Sequence, residues 1–435
     1  MRARRLELSL LVLGTVITVI AYGLLNAGET ADIRAEIAIF FAIILVLLIG
    51  AHVVIRYTAP NADGLLLPLA ALLNGLGYVV IARLDDGLAA SQSAWTFIGI
   101  GAFAVTLLVV RDLRWVANYR YTLAVFGVGL LMLPLIPGLG VNINGARIWL
   151  RVGPFSIQPG EFAKIVLAAF LAGYLVEKRE LLAISNHRLG PLNIPDLRHF
   201  GPLLLAWGVA LMVMILQRDL GSSLLFFTLF IVMIYVATAR TAYVVTGLLL
   251  FTAGSFISWQ LFSHVQTRVD IWFDPFADPK GAGFQIVEAW FALADGGITG
   301  TGLGSGLPNK IPFAPTDMIF AAIGEELGLL GATAVLAAFM FFVSSGFRVA
   351  SSTTVVFEKL LAVGLTALLG FQAFIIIGGV LRVLPLTGVT LPYVSYGGSS
   401  LISNYIVLAL LVRISDSTPP SRAAPAADAR VTTVI

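Results

Sequence analysis

The sequence predicts an all-α polytopic integral membrane protein of about twelve transmembrane helices with both termini cytoplasmic. Three observations lead there. The 435 residues are 58% hydrophobic and only 12% charged, where a soluble domain would carry about 25% charged residues. Apolar runs repeatedly reach about 20 residues, enough to cross a hydrocarbon core of roughly 30 Å. Basic residues, finally, are distributed unequally between the two sides of those runs, which sets the orientation.

In order, the runs centre near Val16, Ile44, Leu73, Ala102, Val128, Ala169, Ala210, Phe230, Leu249, Ala334, Leu368 and Ala409. The first follows "MRARR" without a small-residue cleavage site and reads as a retained helix. The segment around Ala169 is short. With the N-terminus inside, seventeen of the 27 basic residues fall on the cytoplasmic side, and the first outer loop, "NAGETADIRAE", is acidic, in agreement. No soluble domain is inserted, and "SDSTPPSRAAPAADARVTTVI" reads as a disordered cytoplasmic tail. The chain thus divides into an N-terminal helical pair (1–63), a membrane core (64–415) and a tail (416–435). Cysteine is absent, which excludes disulfide and thiol chemistry. Without a basic tail or a soluble module, nucleic-acid binding has no support.

Ten basic residues remain outside, and most lie in two long segments, 138–164 and 263–316. Non-helical backbone at membrane depth is tolerated only where protein covers it or a water-filled cavity opens. Long polar outer loops therefore point to an extracytoplasmic site. Four polar clusters stand at the outer helix ends. The first, "NGARIWLRVGPFSIQPGEFAK" (144–164), carries Arg147, Arg151, Glu161 and Lys164, with Pro159 suited to a first helical turn and Glu161 and Lys164 spaced as an i,i+3 pair. The second, "QRDLGSS" (217–223), is a tight helix–helix connection that places Arg218 and Asp219 at the interface. The third joins "WFDPFADPKGAGFQ" (272–285) to "GGITGTGLGSGLPNKIPFAPTDMIFAAIGEELG" (296–328), with Asp278, Lys280, Gln285, Lys310, Asp317 and Glu325. The fourth, "LPLTGVTLPYVSYGGSS" (384–400), includes Ser399 and leads into the last helix through prolines and glycines.

Each cluster also has a structural reading. Cations at helix ends snorkel to headgroups, Asp-Pro pairs start turns, and glycine-rich runs make linkers. Glu325 and Glu326 resist that reading, because a carboxylate within an apolar run is costly and faces a cavity or a partner. His52, His187, His199 and His264 are scattered without metal-ligand spacing, so a histidine metal centre is not expected, although Asp oxygens could hold Mg²⁺ or Mn²⁺ beside phosphates.

Together and in this order, "NGARIWLRVG…QPGEFAK", "DLGSS", "DPFADPKGAGFQ", "TDMIFAAIGEELG" and "PLTGVTLPYVSYGGSS" resemble the SEDS family (shape, elongation, division, sporulation) of bacterial cell-wall polymerases, from about residue 64 to 413. The chain looks most like the rod-shape-determining (RodA) branch, of actinobacterial type, with the division (FtsW-type) branch as the alternative. The resemblance implies a ten-helix core and a peptidoglycan glycosyltransferase that polymerises lipid II on the outer face of the bacterial cytoplasmic membrane. It implies Asp278 as the catalytic residue, a class B penicillin-binding protein transpeptidase and other elongation-complex membrane proteins as partners, and no organic cofactor. Three departures stand out. Five spans rather than three precede the first motif; "QRDLG" replaces a common "QPDLG"; and Pro315 occupies a position where many relatives have histidine, so no catalytic role belongs there.

The residues suit that chemistry. A glycoside hydrolase needs two carboxylates, because an alkoxide leaving group must be protonated. A lipid pyrophosphate leaves as an anion, so one carboxylate base and cations to hold the diphosphate suffice. Asp278 supplies the carboxylate, either as a base or as a ligand of a divalent cation. Arg147, Arg151, Lys164, Lys280 and Lys310 supply the cations. The rival class is a lipid II flippase, which also shows many spans and intramembrane carboxylates. Against it, no motif repeats between the halves and the polar residues gather on one side. No Ser-x-x-Lys occurs, so the chain does not cross-link strands by that chemistry.

Overall fold

The computed structural model describes residues 2–27, 35–143, 145–153, 155–183, 187–189, 192–194 and 197–417. The acidic first loop at 28–34 and the tail beyond 417 lie outside the described residues. The chain opens with α1 (Arg2–Ala27), α2 (Ala35–Thr58), α3 (Leu66–Leu84), α4 (Asp86–Val109), the short α5 (Arg114–Asn118) and α6 (Arg120–Met132). Then come β1 (Gly140–Ile143), β2 (Ala146–Val152), β3 (Phe155–Ile157), α7 (Pro159–Ala183), and the small hairpin β4 (His187–Leu189) and β5 (Leu192–Ile194). The second half is α8 (Leu197–Leu216), α9 (Leu220–Thr238), α10 (Thr241–Leu261), α11 (Ser263–Phe273), α12 (Phe284–Gly296), α13 (Ile319–Ser352), α14 (Val356–Val380) and α15 (Gly398–Asp416).

All twelve expected centres fall within helices. Among the described residues nine helices are long and apolar enough to cross a membrane, and Ala42–Thr58 and Arg120–Leu135 are apolar but shorter. Local chemistry sets several helix starts. Asp85 caps α4 by accepting from Leu88 N at 2.9 Å, and Asp219 caps α9 from Ser222 N at 2.9 Å. Pro159 stands at the first position of α7, as its fixed φ allows.

Two expectations change. The helix around Ala169 is not short: α7 runs for 25 residues. Its first turns contain Glu161 and Lys164, which lower the local hydropathy while their charges neutralise each other inside the bundle. The segment 138–164 is not an irregular loop either. β1, β2 and β3 form an antiparallel meander, with Gly140 opposite Leu150 and Arg151 opposite Ser156. "RIWLRV" has the alternation of a strand, and Gly145 and Gly153, with φ of +83° and +61°, sit in its turns.

Among the nine described helices of spanning length, α14 is the most buried and α10 the least. Where helices approach the backbone of other segments, glycine makes it possible: a Cβ at Gly77 on α3 would collide with the Val394 backbone. At one end of the bundle Arg413 of α15 donates from Nε to Val110 O at 2.9 Å, and Arg348 pairs with Asp63 at 2.6 Å. The sheet, α11, α12 and the loops between α12 and α13 gather at the opposite end.

Candidate active site

At that loop end the polar side chains form three groups, the first two of them bonded to the segment 381–397. The first is built on the start of α7. Glu161 and Lys164 pair at 2.8 Å and are almost fully buried. Ser403 of α15 donates to Glu161 Oε2 at 3.1 Å, and Lys164 Nζ donates to Gln372 Oε1 of α14 at 2.9 Å. Gln372 in turn donates to Thr390 O at 2.8 Å, fixing the Pro- and Gly-rich segment over the pair. Ser399 is buried and accepts from Gln158 N at 2.9 Å, anchoring the residue ahead of α7.

Beside this pair lies a polar hollow of about 230 Å³, lined by Ile148, Gln158, Gln217, Asp219 and Ser222 among others. Burial pushes the Asp219 carboxyl up from its ordinary range, against the hydrogen bonds it accepts from Ser222. Arg147 N donates to Gln217 O at 3.2 Å, joining the sheet to the turn that carries Asp219. Arg147 and Arg151 are four apart on β2 and so share one face of the strand, and Arg151 is exposed.

Arg268, on α11, was not singled out by its sequence motif, yet it completes this group. It donates to Leu386 O at 2.6 Å. A Cβ at Gly388 (φ +73°) would lie 3.4 Å from Asp317 Oδ2 and 3.8 Å from Arg268 Nη2, so both side chains converge on that glycine. Burial pushes Asp317 up to about 6, with the Arg268 charge opposing. The only sequence signal for Arg268 is its place in the short polar stretch "SHVQTRVD" between apolar elements.

The second group is the Asp278 loop. Asp274 accepts from Phe276 N at 3.1 Å, capping the single 3₁₀ turn Pro275–Ala277. Asp278 then accepts from Ala282 N at 2.9 Å through Oδ2, and the residue is exposed. A Cβ at Gly281 would run into the Asp278 carboxylate, so any side chain there would displace that carboxylate from its present position. The two aspartates thus cap successive turns. Lys280 is exposed two residues on, and Gln285 Nε2 donates to Pro312 O at 3.4 Å. Asp278 shares no hydrogen bond or ion pair with Arg147, Arg151 or Lys164 among the described residues.

The third group organises the glycine-rich stretch. Glu326 pairs with Arg83 of α3 at 3.1 Å, and Arg83 Nη2 reaches Gly304 O and Gly306 O, both at 3.2 Å. Glu325 accepts from Leu307 N at 2.6 Å, and its backbone carbonyl accepts from Thr301 N at 2.9 Å. The two glutamates hold loop backbone and one arginine. Lys310, exposed, lies close enough to act on Glu325 electrostatically. Like Arg268, Arg83 and Gln372 were left out by sequence reasoning; a lone polar side chain in an apolar run, as Gln372 is, was the available signal.

The chain as a whole is similar to known proteins. The chain is 46% identical over 423 residues to Peptidoglycan glycosyltransferase RodA of Mycobacterium tuberculosis, covering 95% of this chain and 90% of that protein. It is 35% identical over 370 residues to Stage V sporulation protein E of Bacillus subtilis, covering 83% of this chain and 98% of that one. Among solved structures it resembles a chain of a complex described as "Structural coordination of polymerization and crosslinking by a peptidoglycan synthase complex". The TM-score is 0.69 at 28% identity, over 81% of this chain and 97% of the other. The crystal structure of the Thermus thermophilus rod shape determining protein RodA matches with a TM-score of 0.58 at 25% identity, over 81% and 96%. A family model described as a cell cycle protein, FtsW/RodA/SpoVE, covers residues 65–419. This multi-pass membrane protein therefore belongs to the FtsW/RodA/SpoVE family, the SEDS group its motifs resemble.

Proposed function

We propose that the chain is a peptidoglycan glycosyltransferase of the elongation type, polymerising lipid II into glycan strands for cell-wall growth and cell shape. The observation that carries this is the 46% identity, across 95% of the chain, to proteins named Peptidoglycan glycosyltransferase RodA. Identity to proteins named FtsW is 33% over 74% of the chain, which favours elongation over division. Arg111, Arg114, Arg348 and Arg413 lie at the end opposite the loops, which supports a loop end on the outer face of the bacterial cytoplasmic membrane. Residues 1–63 form an added helical pair, and 64–415 the polymerase core.

In this reading Asp278 is the base. The 4-hydroxyl oxygen of the acceptor sugar forms a bond to the anomeric carbon of the donor. The bond from that carbon to the diphosphate oxygen breaks, and its electron pair leaves with the diphosphate. The hydroxyl proton passes to the Asp278 carboxylate and then to solvent. Oδ2 is steadied by Ala282 N, which leaves Oδ1 for the proton. Exposed Lys280 and Arg151 attract the diphosphate. Glu161, Lys164, Asp219, Asp317 and Ser399 act from within, by fixing the surfaces on which the substrate lies.

Among the described residues no three His, Cys, Asp or Glu side chains gather to cage a metal. Mg²⁺ or Mn²⁺ enters the proposal only as a companion of the diphosphate, and no step above depends on it. Lipid II is the proposed substrate. A class B penicillin-binding protein is the proposed partner, supported by the likeness to a chain of a complex that coordinates polymerisation with crosslinking.

The test is purified protein, alone and with the transpeptidase partner, given labelled lipid II with Mg²⁺ or Mn²⁺. Strands from wild type and none from folded Asp278→Asn support the reading. Lipid II crossing vesicle membranes without strands would move the chain to the flippase class.

A further inference from the structure

Arg382 has no part in the steps above, yet it is wired to the loop that carries Asp278. Its backbone sits at φ +60°, a region non-glycine residues occupy only where the surroundings hold them there. The side chain reaches the C-terminal end of α11, whose last carbonyls have no partner within the helix. Arg382 Nε donates to Trp272 O at 2.6 Å, and Nη2 donates to Phe273 O. Trp272 returns a bond from its indole Nε1 to Arg382 O at 3.1 Å.

The other face of the guanidinium covers an aromatic ring: its carbon lies 5.3 Å from the Trp290 centroid on α12. Trp290 Nε1 donates to Val380 O at 3.1 Å, so α12 is tied to the end of α14 two residues before the arginine. The Phe276 ring, inside the Asp278 loop, lies 6.0 Å from the same indole. The loop between Phe273 and Phe284 therefore leaves from a helix end held by Arg382, rests on Trp290, and returns into the helix that carries Trp290.

We propose that Arg382 is a positioning residue for the reaction: it fixes the take-off of the Asp278 loop by joining α11, α12 and the end of α14. The inference rests on the reading of Asp278 as the reacting carboxylate. Only a planar, forked cation does this in full, since lysine offers a point charge that reaches one carbonyl and does not stack as a plane.

The chain has no native cysteine, so a spin label at Ala277→Cys reports on the loop without background. A control label at Ile298→Cys sits on an exposed position of a different loop. Arg382→Ala is expected to at least double the rotational rate at 277, with Arg382→Lys intermediate, while the label at 298 and the thermal midpoint stay at wild-type values. In the label-free protein Arg382→Ala should lower kcat for lipid II polymerisation at least tenfold with KM within twofold of wild type. A 277 label as immobile as in wild type overturns the proposal, and so does equal loosening at 277 and 298. Asp278→Asn, assayed alongside, judges the other reading separately: if it retains polymerisation that reading falls, whatever the label reports.

Discussion

Glu161 and Lys164 pair at 2.8 Å one helical turn apart on α7, and each is held by a different neighbour: Ser403 of α15 bonds the carboxylate and Gln372 of α14 the ammonium. The pair is thus a three-helix junction beneath the candidate active site. Removing one partner leaves the other charge buried and uncompensated, which costs about 3–5 kcal/mol. Lys164→Met should therefore lower the thermal midpoint in detergent steeply, while Glu161→Leu combined with Lys164→Met should recover most of the loss. A single variant as stable as wild type would show that water reaches the pair.

Gly328 breaks α13 with φ +65° and ψ −166°, where a Cβ would meet Gly300 N and the Ile298 carbonyl. Gly328→Ala should cost at least about 1–3 kcal/mol from backbone strain alone, read as a drop in thermal midpoint. Among the described residues Gly101 on α4 has open space around it, and Gly101→Ala should be neutral or stabilising by up to about 1 kcal/mol.

Asp317 supplies a pH dependence. Burial raises its pKa from an ordinary 3.8 to about 6, so the folded protein holds this proton more tightly than the unfolded chain. Stability from this group is full below about pH 4, declines as pH rises, and is lost above about 6. Arg268 opposes the shift by favouring the carboxylate, and Asp219 also faces Arg268. Asp317→Asn should flatten the decline, by at most about 3 kcal/mol between pH 4 and 7. Thermal melts of both proteins across that range check it; parallel curves would sink the idea.

Arg83 restrains the stretch from Thr301 to Leu307 through two carbonyls and Glu326. Arg83→Ala should free that stretch while leaving the distant α5–α7 region unchanged. Limited proteolysis should then cut between residues 298 and 312 about tenfold faster than in wild type, since local opening exposes backbone to protease. An unchanged cleavage pattern would mean that the glutamates alone hold the loop.

The helices were legible because apolar run length is a local property: every expected centre lies in a helix, and the motif order that resembled the family matches a family model over 65–419. The strands of 140–157 were missed because three short segments carry little periodic signal and are settled by pairing with one another. The start of α7 at Pro159 was legible, but its length was underestimated because hydropathy counts Glu161 and Lys164 as two charges, whereas the bundle makes them one neutral pair.

For the site, the sequence by itself determined which residue types stand at the loop end, and in what order. Asp278 was singled out by the family resemblance its motif carries, and the chemistry of a leaving diphosphate asks for only one such carboxylate. Only the tertiary structure decided what each charge touches. Lys164 faces Gln372, 208 residues away, rather than solvent. Arg83 meets Glu326 across 243 residues, and Arg382 meets Trp272 across 110. Such partners are chosen by which helix ends converge and by the cost of leaving a buried charge or carbonyl unpaired, and neither quantity is written in any local stretch of sequence.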